Sequence, residues 1–151
     1  MTNDPALSIT RDGHVAILSF ARPPVNFADL ALIESIGAAF ADADADRDIR
    51  AIVLRSEGSV FCAGADLKAV AKGDREKMRE IGGHNTIAPM GPSRLRLGKP
   101  VIAAIEGYAV AGGMELALFA DMRVVAEDAT FGIFCRRFGV PLIDLGTIRL
   151  P

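Results

Sequence analysis

The sequence predicts an α/β domain built on a mostly parallel sheet. Three observations carry that expectation. Short apolar, β-branched runs recur along the chain, segments of helical periodicity separate them, and two glycine-bearing turns follow strands and lead into helices. With 151 residues, 50% of them hydrophobic, the chain is long enough for one domain, residues 1–151, with a core of its own.

The first 20 residues read as a hairpin. Leu7-Ser8-Ile9-Thr10 alternates, Asp12-Gly13 is a two-residue turn signal, and Val15 to Phe20 follows as a strand. Pro23-Pro24 then stops pairing, because proline donates no ladder hydrogen bond. From Ala28 to about Ala45 the apolar residues Leu30, Ile33, Ile36 and Phe40 recur at helical spacing, with Glu34, Asp42 and Asp44 between them. Ala51-Ile52-Val53-Leu54 suits a buried parallel strand. Residues 56–65 form a loop, and Asp66 is placed to cap a helix that begins at Leu67. Residues 72–98 are polar and rich in Gly, and read as helix interrupted by loops. Val101 to Ile105 is the next strand, Gly107 breaks it, Gly112-Gly113 opens a helix through Phe119, and Met122 to Ala126 is a further strand.

Composition excludes several functions. Lys and Arg number 17 against 19 Asp and Glu, a net charge of −2, so no basic excess exists to displace counterions from nucleic acid. Two cysteines, Cys62 and Cys135, are too few for a disulfide scaffold, and they read as small apolar fillers in a reducing compartment. The first residues lack the regions of a signal peptide, and no apolar run approaches the roughly 20 residues that span a bilayer. A cytoplasmic protein is expected.

The chemistry concentrates in the two turns, Phe61 to Leu67 and Gly107 to Glu115. Ligands of α/β sheets bind at the carboxyl ends of strands, small residues let them approach the backbone, and free N–H groups at a helix start favour a negative charge. Gly107 and Gly112 have the spacing of a phosphate loop, but Gly113-Met114 stands where Lys and Ser/Thr are needed. No G-x-G-x-x-G or G-x-S-x-G motif occurs, and His14 and His84 belong to no metal-spaced cluster. Two backbone N–H sites and Glu115, on the first turn of a helix, remain. That set fits stabilisation of an enolate formed from a thioester carbonyl, where each donor to the oxyanion is worth about 3–4 kcal/mol. An apolar pocket would also raise the Glu115 pKa toward the range useful for proton transfer. Taken alone, Gly112-Gly113 also fits plain helix–strand packing, and Glu115 also fits a favourable acid at a helix N-terminus.

Phe61-Cys62-Ala63-Gly64-Ala65-Asp66-Leu67, followed by Lys99-Pro100-Val101-Ile102-Ala103-Ala104-Ile105-Glu106-Gly107-Tyr108-Ala109 and Gly112-Gly113-Met114-Glu115-Leu116-Ala117, resembles the enoyl-CoA hydratase/isomerase (crotonase) family. The resemblance runs from the hairpin to Pro151. It implies a crotonase-like spiral of ββα turns and acyl-CoA substrates, coenzyme A entering as part of the thioester with no separate cofactor and no metal. By motif position the Ala65 and Gly112 N–H groups would form the oxyanion hole, with Glu115 as acid/base. Ala63, Gly64, Ala65, Asp66 and Leu67, with Val25 and Phe27, would line the coenzyme A site, the Ala63 carbonyl meeting the adenine amino group. A second family glutamate aligns with Cys135, and Asp144 is the nearest later carboxylate, reading either as a second acid/base or as a solvated turn residue. The missing glutamate leaves an alternative, a non-catalytic acyl-CoA binding or assembly module. His84 falls where the family lines its acyl pocket, though it reads rather as surface loop; Tyr108 is expected to pack behind the second turn and Arg136-Arg137 to be solvated. Relatives continue into a C-terminal helical region that closes the pocket and builds trimers. That region is missing here, so a homo-oligomer is expected for the family, and for this chain exposed apolar surface and self-association.

Overall fold

The computed structural model describes residues 4–69 and 88–151. Strands β1 (Leu7–Asp12), β2 (Val15–Phe20), β3 (Ala51–Ser56), β4 (Val101–Ile105) and β6 (Met122–Val125) form one sheet in the order β1-β2-β3-β4-β6. Its first pair is antiparallel and the others are parallel, as the alternation of strands and helices predicts. Two three-residue strands, β5 (Tyr108–Val110) and β7 (Thr130–Gly132), pair parallel in a second small sheet.

Register explains the core. Leu18 pairs with Leu54 and Leu54 with Ala103, so alternate residues of three strands point to one buried face. Helix α1 (Leu30–Ala45) covers that face with Leu32, Ile36 and Phe40. It starts two residues later than its periodicity suggests, because Asp29 is the N-cap, accepting from the Leu32 N–H at 3.0 Å. Phe20 meets Phe61 edge-on at 5.7 Å, tying the sheet to the first glycine-bearing turn.

Two expectations need correction. The hairpin turn is Gly13-His14 rather than Asp12-Gly13: Asp12 pairs with Val15, and Gly13, at φ +54°, takes the left-handed corner. The Tyr108 ring is exposed; its backbone carbonyl, accepting from the Cys62 N–H, is the part that joins the two turns. His84 and most of the 72–98 segment lie outside the described residues. In its described part, Pro92–Arg94 form a 3-10 turn.

Candidate active site

The two turns are stitched together by backbone hydrogen bonds. Cys62 N donates to the Tyr108 carbonyl at 3.0 Å, and Val110 N donates to the Cys62 carbonyl at 3.0 Å. Such closeness demands glycine: a Cβ on Gly113 would sit 2.1 Å from the Cys62 carbonyl oxygen, and one on Gly107 would sit 1.9 Å from that of Ser59. Gly64, at φ +94°, brings the first turn against the second, its Cβ direction ending 3.1 Å from the Gly112 nitrogen.

The candidate oxyanion donors follow from this stitching. Ala28 N donates to the Gly64 carbonyl and Asp66 N to the Ala28 carbonyl, so the residues on either side of Ala65 make the bridge. In such a bridge the N–H of the residue between them faces the other way. Gly112 is the first residue of helix α3 (Gly112–Phe119), where an N–H has no partner within the helix. Among the described residues, neither the Ala65 nor the Gly112 N–H has a protein acceptor. Both residues line one apolar cleft of about 440 Å³.

Glu115, one turn along α3, lines the same cleft and is 2% exposed. Its Oε1 accepts from the Asp144 N–H at 2.8 Å and the Gly146 N–H at 2.9 Å. Gly146 permits this approach, since a Cβ there would lie 2.8 Å from that oxygen. Burial raises the Glu115 pKa above its ordinary value; the backbone donors oppose the rise and the nearby Asp144 charge adds to it.

Asp144 is no solvated turn residue. It is 1% exposed, lines the cleft, and accepts on Oδ1 from the Met90 N–H at 3.0 Å and from the Ser93 hydroxyl. Burial also raises its pKa, against the pull of those donors and of Arg94 and Arg149. Cys135, where a second glutamate was sought, borders the cleft as well; its thiol is raised by burial and by the Glu115 charge, which keeps it protonated. Cys62 is a filler, its buried thiol pushed up to about 12.

The cleft thus gathers Ala63, Ala65, Leu67, Gly112, Glu115 and Asp144. The other expected positions stand just outside its lining. Val25 is exposed and its carbonyl accepts from the Ala63 N–H at 3.1 Å; Phe27 is half-buried next to the Ala28 bridge. Gly64 is buried behind the turn, and Asp66 accepts from the Lys68 N–H at 2.9 Å at the start of α2 (Leu67–Ala69), as a cap should. Among the described residues no group of three or more His, Cys, Asp or Glu could hold a metal ion, and no helix is long and apolar enough to cross a membrane.

Sequence reasoning missed Met90, Ser93 and Gly146, which hold the two carboxyls, and the role of Asn26. Asn26 is buried in the left-handed conformation (φ +51°), accepts from the Arg22 N–H, and donates to the carbonyls of Glu57 and Val60. Its residue type was a usable signal, because asparagine tolerates that conformation better than other residues with a Cβ.

Comparison with known proteins gives this geometry its context. A family model described as enoyl-CoA hydratase/isomerase matches residues 10–151. The chain is 33% identical over 152 residues to a probable enoyl-CoA hydratase of Bacillus subtilis, covering 97% of this chain and 56% of the relative. It is 35% identical over 154 residues to a carnitinyl-CoA dehydratase of Salmonella agona, covering 97% and 55%. Among solved structures, enoyl-CoA hydratase from Bacillus anthracis superposes with a TM-score of 0.84 at 34% identity, over 97% of this chain and 57% of the other. Pseudomonas aeruginosa DspI superposes at 0.85 and 30% identity, over 100% and 62%. The chain spans little more than half the length of the curated relatives it matches. Their likeness runs through both turns, the helix that carries Glu115 and the loop that carries Asp144, and it makes this chain a member of the enoyl-CoA hydratase/isomerase family.

Proposed function

We propose that the cleft binds an acyl-CoA thioester and stabilises its enolate. The Ala65 and Gly112 N–H groups receive the thioester oxygen, and Glu115 moves a proton to or from the acyl chain, with Asp144 as the second proton-carrying group. The observation that carries this reading is the meeting on one apolar cleft of a buried carboxyl and two N–H groups that have no acceptor among the described residues. Charge that develops on the thioester oxygen is then met by donors already in place, and each such donor is worth about 3–4 kcal/mol. Burial holds the Glu115 carboxyl above its ordinary pKa, the direction that suits a group that takes and returns a proton. Coenzyme A lies along Val25, Phe27 and the 63–67 turn, arriving as part of the substrate.

The names of the relatives, hydratase and dehydratase, support water addition or removal at such a thioester. Isomerisation of a double bond uses the same enolate and the same proton carriers. In this reading the protein works in the cytoplasm as a homo-oligomer. The test is Glu115→Gln, assayed on enoyl-CoA substrates of several chain lengths and double-bond positions beside acyl-CoA affinity. Turnover lost with binding retained supports the reading, and unchanged turnover ends it.

A further inference from the structure

Pro92–Arg94 carries none of the residues in which the chemistry was expected, yet it supplies the partner that sits deepest against Asp144. Ser93 is fully buried, and its hydroxyl donates to Asp144 Oδ1. The Met90 N–H donates to the same oxygen at 3.0 Å. Asp144 Oδ2 is buried with no hydrogen-bond partner among the described residues, although Asp144 lines the cleft with Glu115. A carboxyl with two donors on one oxygen and none on the other is asymmetric. When the carboxyl is ionised the two donors favour negative charge on Oδ1, and when it is protonated they favour the proton on Oδ2, where no donor opposes it.

We propose that Ser93 is a positioning residue: with the Met90 N–H it fixes Asp144 Oδ1 as the acceptor, so that Oδ2 is the oxygen that carries a proton to the cleft beside Glu115. The proposal rests on the acyl-CoA reading above and adds a division of labour to it. In the hydration direction Glu115 takes a proton from water as the water oxygen bonds to the β-carbon. The electron pair of the double bond moves onto the thioester as an enolate, and the α-carbon then bonds the proton released from Oδ2. Glu115 is left protonated and Asp144 ionised, and exchange with solvent resets both.

Among the described residues the charged groups facing Asp144 are Glu115 on α3, Arg94 in the 3-10 turn Pro92–Arg94 and Arg149 in the short helix Gly146–Arg149. The Ser93 bond and both arginines favour the ionised form of Asp144. Removing the hydroxyl therefore makes Asp144 a weaker acid. A proton donor works while it is protonated, so the high-pH limb of activity moves to higher pH.

Crotonoyl-CoA turnover, followed by loss of ultraviolet absorbance across pH, tests this in the 151-residue chain. We expect Ser93→Ala to lower kcat about tenfold, the worth of one hydrogen bond to a charged group, with KM within about twofold and the high-pH limb displaced upward. Ser93→Cys, which keeps a weaker donor, gives a smaller displacement of the same sign. Asp144→Asn keeps an oxygen for Ser93 and Met90 but has no proton to release; it loses turnover, and adding Ser93→Ala to it costs nothing more. A limb unmoved in both Ser93 variants, with only a lower melting temperature, overturns the role of Ser93 and leaves the acyl-CoA reading standing. A wild-type chain that binds crotonoyl-CoA without turning it over overturns both proton-transfer roles. One that does not bind it overturns the acyl-CoA reading and this proposal together.

Discussion

Asp144 donates its backbone N–H to Glu115 Oε1 at 2.8 Å while its own carboxyl, 1% exposed, lines the same cleft. Two buried carboxyls are thereby held in one fixed arrangement by a single peptide. Burial raises both pKa values, from ordinary values of 4.5 for Glu115 and 3.8 for Asp144.

That relationship makes stability depend on pH with a definite sign. Each folded-state pKa lies above its unfolded value, so between the two values the folded chain binds more protons than the unfolded chain. Stability then falls as pH rises through the window, which opens at 3.8 for Asp144 and 4.5 for Glu115. The contribution is most favourable below those values. Glu115→Gln cannot ionise and escapes its share. We expect it to gain stability relative to the wild-type chain as pH rises above 4.5, with the advantage shrinking as pH falls back toward that value. Melting curves at a series of pH values check this, and a difference that is constant with pH would refute it.

A second prediction concerns the stitching of the turns. In Gly113→Ala the new methyl would stand 2.1 Å from the Cys62 carbonyl oxygen, which itself accepts from the Val110 N–H. Backbone cannot yield there without breaking the bridge that holds the two candidate donors together. The expected loss is about 3 kcal/mol, at the upper end of ordinary overpacking. Urea unfolding measures it, and a loss under about 0.5 kcal/mol would show that the turns can slide apart freely.

How much of this was legible beforehand follows from sequence distance. Helix α1 was readable because Ile33, Ile36 and Phe40 repeat within one segment and all three are buried. Both glycine-bearing turns were readable from their residues alone. Strands β5 and β7 were not, because three residues are too few for a period-2 pattern and Tyr108 and Phe131 point outward. Asp144 looked like a turn residue because the groups that bury it, Met90 and Ser93, stand 54 and 51 positions away. Chain-local rules carry no information about such partners.

Asn26→Ala is expected to destabilise the chain by about 2–3 kcal/mol. The substitution leaves the Glu57 carbonyl and the Arg22 N–H without this partner, leaves the Val60 carbonyl with only the Ser56 hydroxyl, and puts alanine in a left-handed conformation. Asn26→Gly, which relieves the backbone but not the lost bonds, should recover about 1 kcal/mol of this. Denaturant midpoints for the three chains give the comparison, and equal midpoints for the two variants would remove the conformational part of the argument.

The last prediction comes from the edge of the main sheet. All four residues of β6 are exposed, with Val124 at 66%, and among the described residues β6 has β4 as its neighbour on one side only. Phe131, Ile133 and Phe138 are also exposed beyond it, at 41%, 45% and 62%. An apolar edge strand presents both unpaired backbone groups and greasy side chains to another molecule. We therefore expect the 151-residue chain to self-associate in a concentration-dependent way on size-exclusion chromatography. Val124→Lys should shift the equilibrium toward monomer, since a desolvated lysine opposes strand pairing while an exposed one costs the fold little. A wild-type chain that elutes as a monomer across a hundredfold range of concentration would show that this edge is protected by its twist, not by a partner.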